Sequence, residues 1–247
     1  MTRFPIDPSQ PFYLTFPLPC SYLDGRMEQR VFTVLTGLTG GKSASLFDFL
    51  SHAGFRRSLD TVYQPSCPGC DACVSVRILT HGFRPSRTFR RVLRANRDIT
   101  AELLPARATK EQYDLFSRYL RSRHCDGEMA NMSWEEYLFF AEDIFTETFI
   151  AEFRNKGELV AACIVDQLSD GLSAVYSFFD PDEEKRGLGN FILLWLVEKA
   201  QKMGLAHVYP GYWIADCRKM SYKTRFQPLE RFTRTGWRPF PGEEVAS

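Results

Sequence analysis

The feature that most constrains this chain is a run of three strand-like segments joined by tight turns, followed by a glycine-led apolar helix. Residues 148–154, 158–168 and 172–179 read as strands. Between them lie Asn155-Lys156-Gly157, where glycine accepts a positive φ that side chains resist, and a polar turn at Ser169-Asp170-Gly171. Three strands joined this way form an antiparallel meander. Gly187-Leu188-Gly189 then opens an apolar helix that stops before Gly204, residues 206–209 read as a further strand, and a helix follows near 216–224. Upstream, Thr109 can cap a helix bearing Tyr113, Phe116 and Leu120. Ser133-Trp134-Glu135-Glu136 is a capping box leading into Tyr137, Phe140 and Ile144.

The first hundred residues have another character. Residues 1–19, rich in Pro and aromatics, read as an extended segment laid on a domain. Ser45 can cap a short helix with Leu46, Phe47, Phe49 and Leu50, stopped at Gly54. A cysteine loop at 67–73 precedes a strand over 74–80, Ser86 can cap a helix running to about Asp98, and 100–104 reads as a strand. At 247 residues the chain is long enough for two domains. The fold class expected is α+β, with a small N-terminal α/β domain over 1–106 and a second domain over 107–247. Two helices, a meander, a glycine-led helix and another strand are the layout of a GCN5-related N-acetyltransferase (GNAT) domain.

Charge and apolar runs narrow the function classes. Lys+Arg of 31 against Asp+Glu of 30 gives a net charge of +1, which excludes a globally basic nucleic-acid binder but not a basic face. The longest apolar run, 191–197, is far short of the ~20 residues a membrane helix needs. The N-terminus has no apolar segment of secretory type, so no membrane association and a cytoplasmic location are expected. The seven cysteines are then expected to be reduced.

Four constellations can carry chemistry. Arg87, Arg90, Arg94 and Arg97 recur at helical spacing, with Phe89, Val92 and Leu93 on the opposite face. No carboxylate is interleaved, so the stripe suits phosphates, which guanidinium binds bidentately; the alternative is a solvated helix face. Cys67, Cys70 and Cys73 have metal-ligand spacing, and Cys20 is the candidate fourth ligand, so zinc or an iron–sulfur cluster is the candidate occupant; reduced buried cysteines are the alternative. The loop Glu184-Lys185-Arg186-Gly187-Leu188-Gly189-Asn190 precedes a helix. Acetyltransferases of this layout cradle the coenzyme A pyrophosphate there, beginning with Arg or Gln where this chain has Glu184. The position argues against coenzyme A, and Lys185 and Arg186 can instead meet RNA phosphate. Residues 209–223 crowd Tyr209, Tyr212, Trp213, Arg218, Lys219 and Lys223 at a strand end, poor material for a core.

These residues resemble a known family. Pro19-Cys20-Ser21-Tyr22-Leu23, Gly54-Phe55-Arg56-Arg57-Ser58, the cysteine loop with Val74-Ser75-Val76-Arg77, Ser122-Arg123-His124-Cys125-Asp126-Gly127-Glu128-Met129 and the 209–223 cluster resemble the arginyl-tRNA–protein transferase family, in its bacterial branch that transfers leucine. The resemblance covers essentially the whole chain. It implies an aminoacyltransferase that moves an aminoacyl group from charged tRNA to the N-terminal amine of proteins beginning with Asp or Glu, marking them for degradation through the N-degron pathway. The implied partners are leucyl-tRNA and those acceptor proteins. Eukaryotic relatives carry an iron–sulfur cluster on cysteines that this chain arranges differently, as a CxxCxxC with Ser-Tyr-Leu after Cys20.

Such a transfer needs no cofactor. The donor ester is already activated, and an α-amine of pKa about 7.7–8.0 is partly neutral near neutral pH. Backbone N–H groups near Phe178-Phe179 can hold the oxyanion, and Tyr212 or His124 can shuttle the proton. Arg77, Lys219 and Lys223, with Arg56 and Arg123 behind them, are the candidates for the acceptor's acidic side chain. Arginine as the transferred residue, a coenzyme A-dependent N-acetyltransferase and a non-catalytic RNA-binding module are the alternatives.

Overall fold

The computed structural model describes residues 10–36, 41–123, 129, 131–142 and 146–241. In the first half these form β1 (Tyr13–Leu14), β2 (Leu18–Pro19), β3 (Met27–Glu28), β4 (Arg30–Val34), α1 (Lys42–His52), β5 (Arg56–Ser58), β6 (Thr61–Pro65), β7 (Val74–Leu79), α2 (Arg87–Ala95) and β8 (Ile99–Pro105). The second half adds α3 (Lys110–Arg123), α4 (Trp134–Glu142), β9 (Thr148–Asn155), β10 (Glu158–Gln167), β11 (Gly171–Phe179), α5 (Leu188–Lys202), β12 (His207–Trp213), α6 (Arg218–Ser221), β13 (Leu229–Thr233) and β14 (Gly236–Pro239).

The capping chemistry sets several boundaries. Ser133 Oγ accepts from Glu136 N at 3.2 Å while Glu136 Oε2 accepts from Ser133 N at 2.7 Å, the reciprocal pair of a capping box. Thr109 and Gln112 do the same for α3. Ser86 caps α2, but the helix ends at Ala95, short of Asp98, because Asn96 takes the cap position and its side chain donates to Val92 O. Arg97 therefore lies in a turn beyond the helix. Ser45 lies inside α1, which starts at Lys42 behind Gly41.

The meander β9–β10–β11 forms as read. Lys156 and Gly157 both have positive φ, 50° and 92°, as a two-residue hairpin turn requires. Its apolar residues cover both faces. Ala151, Phe153, Ala161, Cys163 and Val165 pack beneath α5 and α2. Ile150, Ala162, Ile164 and Phe178 pack beneath α3 and α4. In α5, Leu188, Phe191–Leu194, Leu196, Val197 and Ala200 are buried, each large side chain contributing about 1.5–3 kcal/mol.

The sheet does not respect the boundary expected at 106/107. Its eight strands run β14-β13-β7-β12-β11-β10-β9-β8, so β7 and β8 from the first half lie within the second half's sheet. β7 pairs on one side with β12 and on the other with β13, which leaves its backbone no open edge, while Val76 and Ile78 are buried on one of its faces. What stands apart in the first half is the four-stranded sheet β1-β4-β6-β5 with α1, packed through Leu46, Phe47, Leu50 and Val62 against Leu168 and Tyr209. Arg57 on β5 and Asp166 on β10 form a buried ion pair at 2.7 Å across this junction, and Thr148 completes the carboxylate's bonding at 2.6 Å.

Candidate active site

One pair of strands in the large sheet is parallel, and it is short. β11 and β12 pair only over Gly171–Ser173 and His207–Tyr209. Beyond Ser173, β11 continues to Phe179 with β10 on one side and nothing of β12 on the other. Asp180 N donates to Val160 O at 2.9 Å, toward β10. Strand alternation then turns the N–H groups of Phe179 and Ser177 to the open edge. These are preorganised donors of the kind an oxyanion requires, and they flank Phe178 rather than include it.

The split opens into a cavity of about 670 Å³. Its walls are Ala174–Ser177 and Phe179 of β11, Gly187–Asn190 at the start of α5, Tyr119 and Arg123 of α3, and Arg218, Lys219, Met220, Tyr222 and Lys223 beyond β12. Ser21 and Tyr22 close it from the N-terminal segment.

The expected site residues divide sharply. Arg123, Lys219 and Lys223 line the cavity. Arg123 pairs with Glu184 at 2.9 Å and lies 5.7 Å from the Phe179 ring centre. Lys219 and its neighbour Arg218 are exposed and have no ion pair among the described residues. Lys223 is buried, with Nζ donating to Tyr212 O at 2.6 Å. Burial first, and the nearby positive Arg56 second, push its ammonium down to about 7.

Arg77, Arg56 and Tyr212 do not face the cavity. Arg77 is held by Glu230 at 2.7 Å and lies 4.5 Å from the Trp237 ring centre. Arg56 is buried, donating to Phe55 O at 2.8 Å, to Ser75 Oγ and to Val76 O, and it stacks on Tyr209 and Tyr212. The Tyr212 hydroxyl donates toward the carbonyls of Gly54 and Tyr63 at 3.2 and 3.1 Å, and burial raises its pKa far above the ordinary phenol value. A proton shuttle needs a hydroxyl free to meet the substrate, so this corrects the role expected of Tyr212. His124 lies outside the described residues.

The basic helix is oriented as its spacing implied. Arg87, Arg90 and Arg94 are exposed on α2, and none has an ion pair among the described residues. Asn96 Nδ2 donates to Arg186 O at 2.9 Å, and Val92 lies against Gly187, so α2 abuts the loop that walls the cavity. Lys185 is exposed there. Arg186 is not free. It is bound by Asp98 at 2.8 Å and by Glu183 at 2.8 Å, which makes it a clamp between the loop and α2 rather than an open phosphate site.

The cysteine set is gathered but not closed. Burial, then neighbouring Cys67, Cys20 and Cys70, push the Cys73 thiol up to about 12. Cys67 Sγ accepts from Gln29 N at 3.3 Å. Among the described residues, no three His, Cys, Asp or Glu side chains converge as a metal site requires.

The surroundings of two wall residues are not legible in the sequence. Asn190, the last residue of the loop motif, lines the cavity with a buried Oδ1 that has no partner among the described residues. Glu184 pairs with Arg123, a partner 61 residues away that no local motif signals.

A parallel strand pair splayed over a cavity, with backbone donors on one edge and a glycine-led helix on another, defines an acyltransferase of the GNAT layout. Models of the arginine-tRNA-protein transferase N terminus and C terminus match residues 18–91 and 111–233 respectively. The chain belongs to that family. It is 52% identical over 245 residues to the aspartate/glutamate leucyltransferase of Paramagnetospirillum magneticum, covering 98% of this chain and 99% of that protein. The Rhodospirillum rubrum protein of the same name is 51% identical over 242 residues, covering 97% of each chain. That of Parvibaculum lavamentivorans is 49% identical over 241 residues, again covering 97% of each. Among the described residues no helix is long and apolar enough to cross a membrane.

Proposed function

We propose that this aminoacyltransferase takes leucine from leucyl-tRNA and joins it to the α-amine of proteins that begin with Asp or Glu, in the cytoplasm, as a degradation signal. The observation that carries the reading is the cavity itself: cations without an ion pair among the described residues at one rim, an apolar and aromatic lining, and the exposed arginines of α2 against its neighbouring wall. Lys219 and Arg218 are the groups suited to the acceptor's carboxylate. Tyr119, Val175, Tyr176 and Leu193 supply apolar surface for a leucyl side chain. Arg87, Arg90 and Arg94, with Lys185, suit the phosphates of the tRNA arm.

The chemistry is aminolysis of an ester. The amine attacks the carbonyl carbon, the carbonyl oxygen becomes an oxyanion, and the ribose oxygen leaves. The N–H groups of Ser177 and Phe179 suit that oxyanion, and losing one such donor costs about 2.7–4 kcal/mol in the barrier. Glu184 sets a carboxylate where the pyrophosphate of coenzyme A would lie, which favours a tRNA donor over acetyl-coenzyme A.

The test offers labelled leucyl- and arginyl-tRNA separately, with peptides starting Asp, Glu, Lys and Ala. Transfer of leucine to Asp and Glu alone is expected. Arginine transfer would change the donor, and inert behaviour together with thermal stabilisation by acetyl-coenzyme A would overturn the reading. Lys219→Ala is expected to raise KM for Asp and Glu peptides about tenfold, the loss of one charge-assisted hydrogen bond. An unchanged KM removes Lys219 from the acid site.

A further inference from the structure

Lys223 follows α6 in a short 3-10 turn, Tyr222–Arg225, and its side chain folds back under β12. It is 5% exposed, yet it forms part of the cavity wall. Its Nζ meets Tyr212 O at 2.6 Å and Met220 Sδ at 3.3 Å, and no carboxylate bonds it among the described residues. Around it lie Arg56 of β5, the Cys217 thiol before α6 and the bonded Tyr212 of β12. Elsewhere on the cavity wall are Arg218, Lys219, Tyr222 and the Arg123–Glu184 pair.

Donor accounting separates the two forms of this amine. An ammonium has three N–H donors and no lone pair. Here it finds one oxygen and a thioether, and a buried cation so poorly paired is costly. A neutral amine needs only the Tyr212 carbonyl and a weak second contact, and it keeps a lone pair.

We infer that Lys223 is the proton acceptor for the attacking α-amine, a role that rests on the transfer reaction proposed above. Once the C–N bond has formed, the amine nitrogen carries one surplus proton. That proton passes to the Lys223 lone pair. The tetrahedral centre then expels the ribose oxygen, which takes the proton from the Lys223 ammonium. One C–O bond breaks, one C–N bond forms, and Lys223 returns to its neutral state. The fall of its pKa to about 7 leaves the acceptor close to a peptide α-amine, at about 7.7–8.0.

The experiment measures single-turnover leucine transfer by the full chain and by Lys223→Met and Lys223→Arg, with Asp- and Glu-starting peptides, across pH. Both variants are expected to lose about 10²–10⁴-fold in rate, equally for the two acceptors, with peptide KM unchanged. The wild-type rate should rise through two ionisations, and that of Lys223→Met through the amine's alone. A variant rate equal to wild type overturns the inference. So does a loss confined to KM, which would make Lys223 a cation for the acidic side chain. Should both variants fail to fold, titration of the wild-type Nζ by nitrogen-15 NMR decides, and a midpoint near the ordinary lysine value of about 10.4 overturns it. A wild-type chain inert with leucyl-tRNA refutes the transfer reading instead, which separates the two failures.

Discussion

Asp170, in the turn between β10 and β11, accepts from His52 of α1 at 2.9 Å, His207 of β12 at 2.8 Å and the Tyr209 hydroxyl at 3.0 Å. Burial works to raise its carboxyl, but the hydrogen bonds from His207 and His52 overcome that and hold it well below the usual carboxylate range. Its stabilisation is therefore complete above the ordinary pKa of about 3.9 and is lost as pH falls below that. His52 moves oppositely. Its hydrogen bond to Asp170 raises it against burial, so its share is present below about 6.5 and is lost as pH climbs through the raised value. Asp170→Asn is expected to remove about 2 kcal/mol near pH 6, a gap that narrows as the pH falls below about 3.9. Denaturant melts at stepped pH measure it, and a gap that stays constant at low pH would refute the account. This scale is also where the sequence was least readable. Arg77 and Arg56 are cations in motifs that look functional, but a guanidinium's role depends on what faces it. Glu230, which engages Arg77, lies 153 residues away.

The β11–β12 pair governs the opening of the cavity, and it hangs on Gly171. A Cβ there would sit 2.5 Å from His207 O and 3.0 Å from the Tyr209 ring, across the three-residue contact that joins the strands. Gly171→Ala is expected to destabilise by about 1–3 kcal/mol and to depress transfer further by shifting the split; thermal unfolding with a transfer assay checks both. α2 gives a second contrast. Arg90→Ala with Arg94→Ala should weaken tRNA binding and reduce the salt slope by about 1–2, whereas Arg186→Ala should lower the melting temperature and leave that slope unchanged. A slope that responds only to Arg186 would reverse these assignments. Elements with local signals were legible. Asn155-Lys156-Gly157 fixed a hairpin and Ser133 a helix start, because turns and caps are decided within four residues. The partners of β7 were not, since an alternating strand says which face is apolar and nothing of which strands flank it.

At the scale of the molecule, the halves share one sheet and one buried ion pair. The Arg57 and Asp166 side chains are 1% and 0% exposed, so removing one partner strands a charge in the core. Arg57→Met is expected to cost about 3–5 kcal/mol in a cooperative unfolding transition. A fragment of residues 107–247 is expected not to fold alone, since β12 and β13 would lose the strand between them; circular dichroism and proteolysis of the fragment, with and without the first half, test this. A stable fragment with native spectra would contradict it. The interleaving bears on how the protein is made. β7 ends at residue 79 and emerges from the ribosome long before β12, which begins at residue 207. Pairing of β7 with β12 therefore waits until translation is nearly finished, so the strand order makes this part of the sheet close late and over a long sequence separation.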